Sequence, residues 1–173
     1  MSALPVSIRE FEESDWPVVW PMLRTTFEAG ETYVFASDSS EADVHRAWIE
    51  VPAVTNVAVA GDGRVVGTYD LKPNQPGRGA HVCNCGYVVD PAIQGKGIAA
   101  AMCEHSQLLA VEMGFRAMQF NLVVASNERA VRLWQRLGFA VVGTLPGAYH
   151  HRRLGFVDAL VMYKTLRGAP DHQ

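Results

Sequence analysis

The sequence predicts a mixed α/β domain, a central mixed sheet of about six or seven strands flanked by about four helices. Three observations predict it. An apolar run, Tyr87-Val88-Val89, stops at Asp90-Pro91 and passes through the glycine loop Gln94-Gly95-Lys96-Gly97 straight into a helical pattern. Two strand-like runs, Asn56–Ala60 and Arg64–Tyr69, flank Gly61-Asp62-Gly63, and Asp-Gly between such runs is a strong hairpin signal. Strand and helix patterns then alternate through Lys164, which places helices on both faces of one sheet. A chain of 173 residues, 49% hydrophobic, fits one domain over 1–166 with a disordered tail, Arg167 to Gln173.

The elements follow in order. Val6-Ser7-Ile8-Arg9 alternates as a first strand. Ser14 or Asp15 caps a helix running to about Phe27, with Pro17 tolerated in its first turn. Glu28 to Asp38 is a loop holding Gly30, Thr32, Tyr33 and Phe35, and Ser39 or Ser40 starts a second helix through Trp48. The Asp-Gly hairpin comes next, then the turn Pro73–Gly79 and the strand Ala80–Val89. The helix after the glycine loop carries Ile98, Ala101, Met102, Leu108, Leu109 and Met113 at close to helical period and ends at Gly114. Ala117–Val124 is a strand. Asn127 caps a helix that buries Ala130, Leu133, Trp134 and Leu137 and ends at Gly138. Ala140–Thr144 and Val157–Lys164 close the chain as strands.

Composition removes several classes of function. The longest apolar stretches fall well short of the ~18–20 residues of a membrane span. Met1 to Pro5 carries no basic region followed by an apolar core, so no secretory signal is expected. Three loosely placed cysteines fit reduced thiols in a cytoplasm. A net charge of −3 speaks against a nucleic-acid partner. His81, Cys83 and Cys85 alternate onto one face of a strand, where they spread too far to converge on one ion, so no metal is expected. His150-His151 reads as part of a solvated loop.

The chemistry starts at the glycine loop. The first N–H groups of a helix have no partner within it, and the helix dipole there favours negative charge. Glycine lets the main chain approach a phosphate closely. The spacing matches neither G-x-G-x-x-G nor G-x-x-x-x-G-K-[ST]. It reads Q-x-x-G-x-A after an apolar strand, which resembles the pyrophosphate loop of the GCN5-related N-acetyltransferase (GNAT) family. Ser126 to Phe139 resembles the same family's N-x-x-A-x-x-[LY]-Y-x-x-x-G-F segment. The resemblance covers residues 56–165.

This resemblance implies a GNAT-like fold and acetyl-CoA as co-substrate. Gln94 would brace the loop, and Gly95, Lys96, Gly97, Ile98, Ala99 and Ala100 would hold the pyrophosphate, with Asn127 touching the pantetheine arm or the pyrophosphate. Val88 and Val89, at the splayed end of their strand, would border the cofactor and offer amides to the oxyanion, Val89 as a catalytic group. Asn84 stands where many relatives carry a glutamate base, and asparagine cannot take a proton. Asn121 is a second amide inside an apolar strand, where an unpaired polar group is costly. Both are expected in the acyl-transfer cleft as catalytic and substrate-binding residues, with Tyr33 and Phe35 as substrate walls. Together with Leu145 to Tyr163 they resemble the family branch that acts on azetidine-2-carboxylate and proline analogues. Trp134 replaces the tyrosine that in most relatives protonates the leaving thiolate; an indole only donates.

The reaction implied is direct attack of a neutral amine on the thioester, the acceptor being a small-molecule amine or amino acid. Glu31, Asp70, His81 and Asp158 are the open candidates for the proton acceptor. An acetyl-CoA sensor without catalysis is an alternative, since both usual proton-transfer residues are missing. So is a peptide acceptor, with Arg152 and Arg153 seating acidic residues. A homodimer fits a family whose members often pair through terminal strands.

Overall fold

The computed structural model describes residues 4–166, and the tail expected over 167–173 lies outside the described residues. β1 (Val6–Glu10), β2 (Val54–Ala60), β3 (Val65–Pro73) and β4 (Val82–Val89) form an antiparallel meander. β5 (Ala117–Val124) runs parallel to β4, and β7 (Gly155–Thr165) and β6 (Ala140–His151) extend the sheet antiparallel beyond it. The order is β1-β2-β3-β4-β5-β7-β6 in one seven-stranded sheet. Four α-helices flank it: α1 (Trp16–Ala29), α2 (Glu41–His45), α3 (Ile98–Glu112) and α4 (Glu128–Arg136). The mixed α/β architecture expected from sequence is the one found, and no described helix is long and apolar enough to cross a membrane.

Alternation along the strands makes two cores. Tyr69, Leu71, Cys83 and Cys85 point to the face covered by α3 and α4, where they meet Met102, Cys103, Met118 and Trp134. Val57 and Val88 point the other way and meet Val19, Leu23, Phe27 and Trp48. All three cysteines are free and buried, small apolar fillers of the first core.

One irregularity opens the sheet at its middle. β4 and β5 pair only at Val82↔Ala117 and Cys83↔Met118. Beyond that, β4 stays on β3 as far as Gly67↔Val89, while β5 follows β7 to Val124↔Ala159 through a bulge between Phe120 and Val123. The two strands are held by different neighbours and part, leaving a wedge in the middle of the sheet.

Several boundaries differ from the expectation, β3 running on to Pro73 among them. Gly77–Gly79 forms a 3-10 turn, so β4 begins at Val82. After the Ser40 cap, α2 widens into a π turn at Arg46–Glu50. β6 runs to His151, well past Thr144. Its Pro146 and Gly147 read as loop residues, but they sit in a bulge of an edge strand between Leu145↔Ala159 and Tyr149↔Val157, the place in a sheet that tolerates them.

Candidate active site

The wedge is the middle of one cleft of about 760 Å³. At one end lies the glycine loop. Asp90 Oδ1 accepts the Ala92 N–H at 2.9 Å and starts a 3-10 turn. The chain then turns through Gly95 (φ 86°) and Gly97 (φ 80°) into α3. The first intrahelical donor is Ala101, to Gly97 O at 3.1 Å, so the amides of Ile98, Ala99 and Ala100 have no acceptor in the helix. Leu4 N–H holds the loop from behind through Lys96 O at 2.9 Å. A Cβ on Gly95 would come within 3.0 Å of Arg129 Nη2. Arg129 therefore overhangs the loop from the first turn of α4, whose cap is Asn127, accepting Ala130 N–H at 3.2 Å. Free amides, Lys96, Arg129 and a glycine cradle fit a ligand carrying phosphate groups. Arg129 was missed from sequence, yet it left a signal: a cation in the first turn of a helix opposes the dipole unless an anion sits in front of it.

The edge of β4 comes next. Asp90 N–H donates to Val66 O at 3.0 Å, and Val88 stands opposite Thr68 in the same ladder. Alternation therefore turns the Val88 amide toward β3 and those of Tyr87 and Val89 toward the wedge. This corrects the expected pair of amides: Val88 lines the cleft, but its N–H belongs to the sheet. Tyr87 N–H donates to the Tyr33 hydroxyl at 2.7 Å, and that hydroxyl donates to Tyr87 C=O at 2.8 Å.

Beyond the wedge lies a polar end. Asp70 is 1% exposed. Its Oδ1 accepts Gly86 N–H at 2.9 Å and its Oδ2 accepts Lys72 Nζ at 2.8 Å. Burial pushes its pKa up, and Lys72 and the Gly86 amide pull back against that. A Cβ at Gly86 would lie 2.8 Å from Asp70 Oδ1 and 3.1 Å from the Trp48 ring, so only glycine lets β4 pass here. Among the four expected proton acceptors, Asp70 alone lines the cleft. Glu31 pairs with Arg153, Asp158 Oδ1 accepts Gly147 N–H at 2.9 Å, and His81 is exposed just before β4.

Both expected asparagines line the cleft. Asn84 Nδ2 donates to Gln119 C=O at 2.8 Å, closing the apex of the wedge where the two strands part. Asn121 is exposed at the rim, in contrast to the interior position expected of it. Its amide is tied on both sides, to Asn74 Oδ1 at 2.7 Å and Gln119 Nε2 at 2.9 Å. Trp134 is core and cleft wall together: 9% exposed, with its ring 5.1 Å from that of Tyr87. The Tyr87 hydroxyl points away, to Ser106 at 2.7 Å.

Tyr33 and Phe35 line the cleft and also a second cavity of about 790 Å³, together with Phe27, Tyr149, His150 and Arg152. The histidine pair ends β6 instead of lying in a solvated loop. His150 stacks on Phe156 with centroids 4.7 Å apart, and His151, 5% exposed, accepts the Arg153 N–H at 3.1 Å.

Comparison with known proteins points the same way. The family model "Acetyltransferase (GNAT) family" matches residues 8–139. N-acetyltransferase aca1 of Schizosaccharomyces pombe is 34% identical over 111 residues, 64% of this chain and 53% of that protein. Protein SPT10 of Saccharomyces cerevisiae is 33% identical over 93 residues, 54% of this chain and 14% of that one. The chain thus spans about half or less of these curated relatives. A GCN5-related N-acetyltransferase from Kribbella flavida superposes with TM-score 0.89 at 41% identity, over 93% of this chain and 98% of that one. A phosphinothricin acetyltransferase from Sinorhizobium meliloti, solved with acetyl-CoA, shares the fold at TM-score 0.85 and 18% identity, over 97% and 92% of the two chains.

Proposed function

The chain belongs to the acetyltransferase (GNAT) family, and from that premise we propose that it transfers an acetyl group from acetyl-CoA to the nitrogen of a small-molecule amine or amino acid. The observation that carries this reading is a single cleft joining a glycine loop at a helix N-terminus, the opened edge of β4 and the Asp70 carboxylate.

Acetyl-CoA supplies the acetyl group as a thioester. Gly95, Lys96, Gly97, the amides of Ile98 to Ala100 and Arg129 hold its phosphates, Gln94 braces the loop, and Asn127 borders the arm. The Val89 N–H, turned into the wedge, faces the charge that grows on the acyl oxygen. An aliphatic amine with a pKa of about 10 is only about one part in a thousand neutral at pH 7, so the acceptor must lose a proton. Asp70 takes it: burial raises its affinity for the proton, while Lys72 favours the ionised form that can accept it. The nitrogen–carbon bond forms as the carbon–sulfur bond breaks. A thiol pKa near ~8.5 lets the sulfur leave as thiolate, so the indole of Trp134 need donate nothing.

Small cyclic secondary amino acids are the acceptor class supported by Asn84 and Asn121 on the cleft wall. Three buried free thiols support a reducing cytoplasm, and the edge position of β6 supports pairing of two copies.

The test is thiol release from acetyl-CoA across cyclic imino acids, amino acids, polyamines, aminoglycosides and short peptides. Release that depends on a cyclic imino acid or amino acid is expected. Release with none of them, from a protein that still binds acetyl-CoA, rejects the enzyme reading for these acceptors.

A further inference from the structure

At the point where β5 leaves β4, a side chain takes its place. In a sheet, the N–H and C=O that a residue turns to one edge both pair with the neighbouring strand. Tyr87 turns both groups into the wedge, and one hydroxyl satisfies the two of them: Tyr33 accepts the N–H at 2.7 Å and donates to the C=O at 2.8 Å. Tyr33 reaches there from the loop between α1 and α2, 54 residues away in sequence. Its own C=O is held by the Tyr149 hydroxyl at 3.0 Å. Its ring packs 5.4 Å from Phe27 and 5.8 Å from Trp48. The same residue lines both cavities, so its side chain is a wall shared by the cleft and the space beside it.

We propose that Tyr33 is a displaceable strand substitute: its hydroxyl occupies the β4 edge at Tyr87 in the free protein and gives that edge up to the amide-bearing arm of acetyl-CoA. The proposal rests on the acetyl-CoA reading above and adds a competition inside the protein to it. An extended ligand with amides in the wedge needs a donor and an acceptor on β4, and Tyr87 offers both only when Tyr33 lets go. Buried main-chain groups rarely go unpaired, and at Tyr87 the Tyr33 hydroxyl satisfies both. Release of the hydroxyl also frees the ring that separates the two cavities. Tyr33 is in this sense a positioning residue: the cofactor's arrival resets one wall of the acceptor space.

Tyr33→Phe tests this, because it keeps the ring and removes the competitor. Three probes are titrated by calorimetry into wild type and variant: acetyl-CoA, pantetheine, which has the amides without the nucleotide, and adenosine 3′,5′-bisphosphate, which has phosphates without the arm. The expected result is a gain of roughly three- to tenfold for acetyl-CoA and pantetheine, the scale of one or two net hydrogen bonds, with the bisphosphate unchanged. A tightened arm is a direction that a purely structural tyrosine does not give. Unchanged or weaker pantetheine binding in a folded variant overturns the proposal and leaves Tyr33 a structural staple. A crystal structure of the wild type with acetyl-CoA decides the same point without any variant: a Tyr33 hydroxyl still bonded to Tyr87 overturns it. If the wild type binds neither acetyl-CoA nor the bisphosphate, the cofactor reading itself falls, and the proposal with it.

Discussion

Asp70 is held on two opposing terms. Desolvation works against its charge, and Lys72 at 2.8 Å and the Gly86 amide work for it. The net direction is upward from 3.8. A carboxyl raised in the folded state contributes stability that is fully present below its unfolded pKa and is lost as pH rises through the folded one. Ionising Asp70 therefore costs more in the folded protein than in the unfolded chain, and the group sits in a position suited to accepting a proton. Asp70→Asn is expected to lower turnover by about 10²–10⁴-fold, the usual worth of a general base. The same variant should melt at or above the wild-type temperature at pH 7, the difference vanishing in acid. Equal turnover rejects the assignment, whereas a clear drop in Tm at pH 7 would mean that the Lys72 and Gly86 contacts outweigh the cost of burial. Sequence alone did not choose Asp70 among four candidates, for a physical reason. Asp, Lys and Pro are depleted in strands, so the hairpin strand was expected to stop at Tyr69. It continues to Pro73, because it is paired with β2 as far as Leu71 and with β4 all the way to Pro73. That continuation carries Asp70 into the cleft. Trp134, by contrast, was legible: an aromatic on the apolar stripe of a helix, packed against Tyr87 and Phe120.

Two helix N-termini converge on the glycine-loop end of the cleft. The α3 loop was readable because its glycines have a backbone task, φ 86° at Gly95 and φ 80° at Gly97, conformations that L side chains resist. Gly97→Glu imposes that strain and adds a carboxylate to an anion site; it is expected to abolish acetyl-CoA binding in calorimetry while far-UV circular dichroism stays native. Undiminished affinity removes the loop from the site. The contribution of α4 was only half legible. Asn127 announces a cap, but Arg129 approaches Gly95 only once the fold brings the start of α4 to the loop before α3. Arg129→Ala should weaken acetyl-CoA binding by about tenfold and flatten its dependence on salt, as expected for a lost charge–phosphate contact. Binding with unchanged affinity and salt dependence would mean that the guanidinium merely covers the loop. The extent of β6 was hidden for the opposite reason: Pro146 and Gly147 are local breakers, and only pairing with β7 across a bulge keeps the strand going.

At the scale of the molecule, the sheet is cut by its wedge and tied back together elsewhere. β1 to β4 belong to one half and β5 to β7 to the other, with only two residue pairs between β4 and β5. The far end of the β6–β7 hairpin returns to the loop after α1. Arg152 N–H donates to Gly30 O at 3.0 Å, Arg152 Nη1 to Glu28 O at 2.8 Å, and the Tyr149 hydroxyl to Tyr33 O at 3.0 Å, while Arg153 pairs with Glu31. These bonds bridge the two halves across the mouth of the second cavity, 116 residues apart in sequence at Tyr149–Tyr33. Their effect should therefore appear in two readouts together. Tyr149→Phe deletes one hydroxyl of the strap and leaves a carbonyl without its partner, a loss of about 0.5–1.5 kcal/mol. In a chain of this length that lowers Tm by about 2–4 °C per kcal/mol. Because the strap also shapes the wall that Tyr33 and Arg152 present to the acceptor, the acceptor KM should rise by more than kcat falls. A variant that loses stability while keeping the wild-type acceptor KM would show that the strap holds the halves together without shaping the site between them.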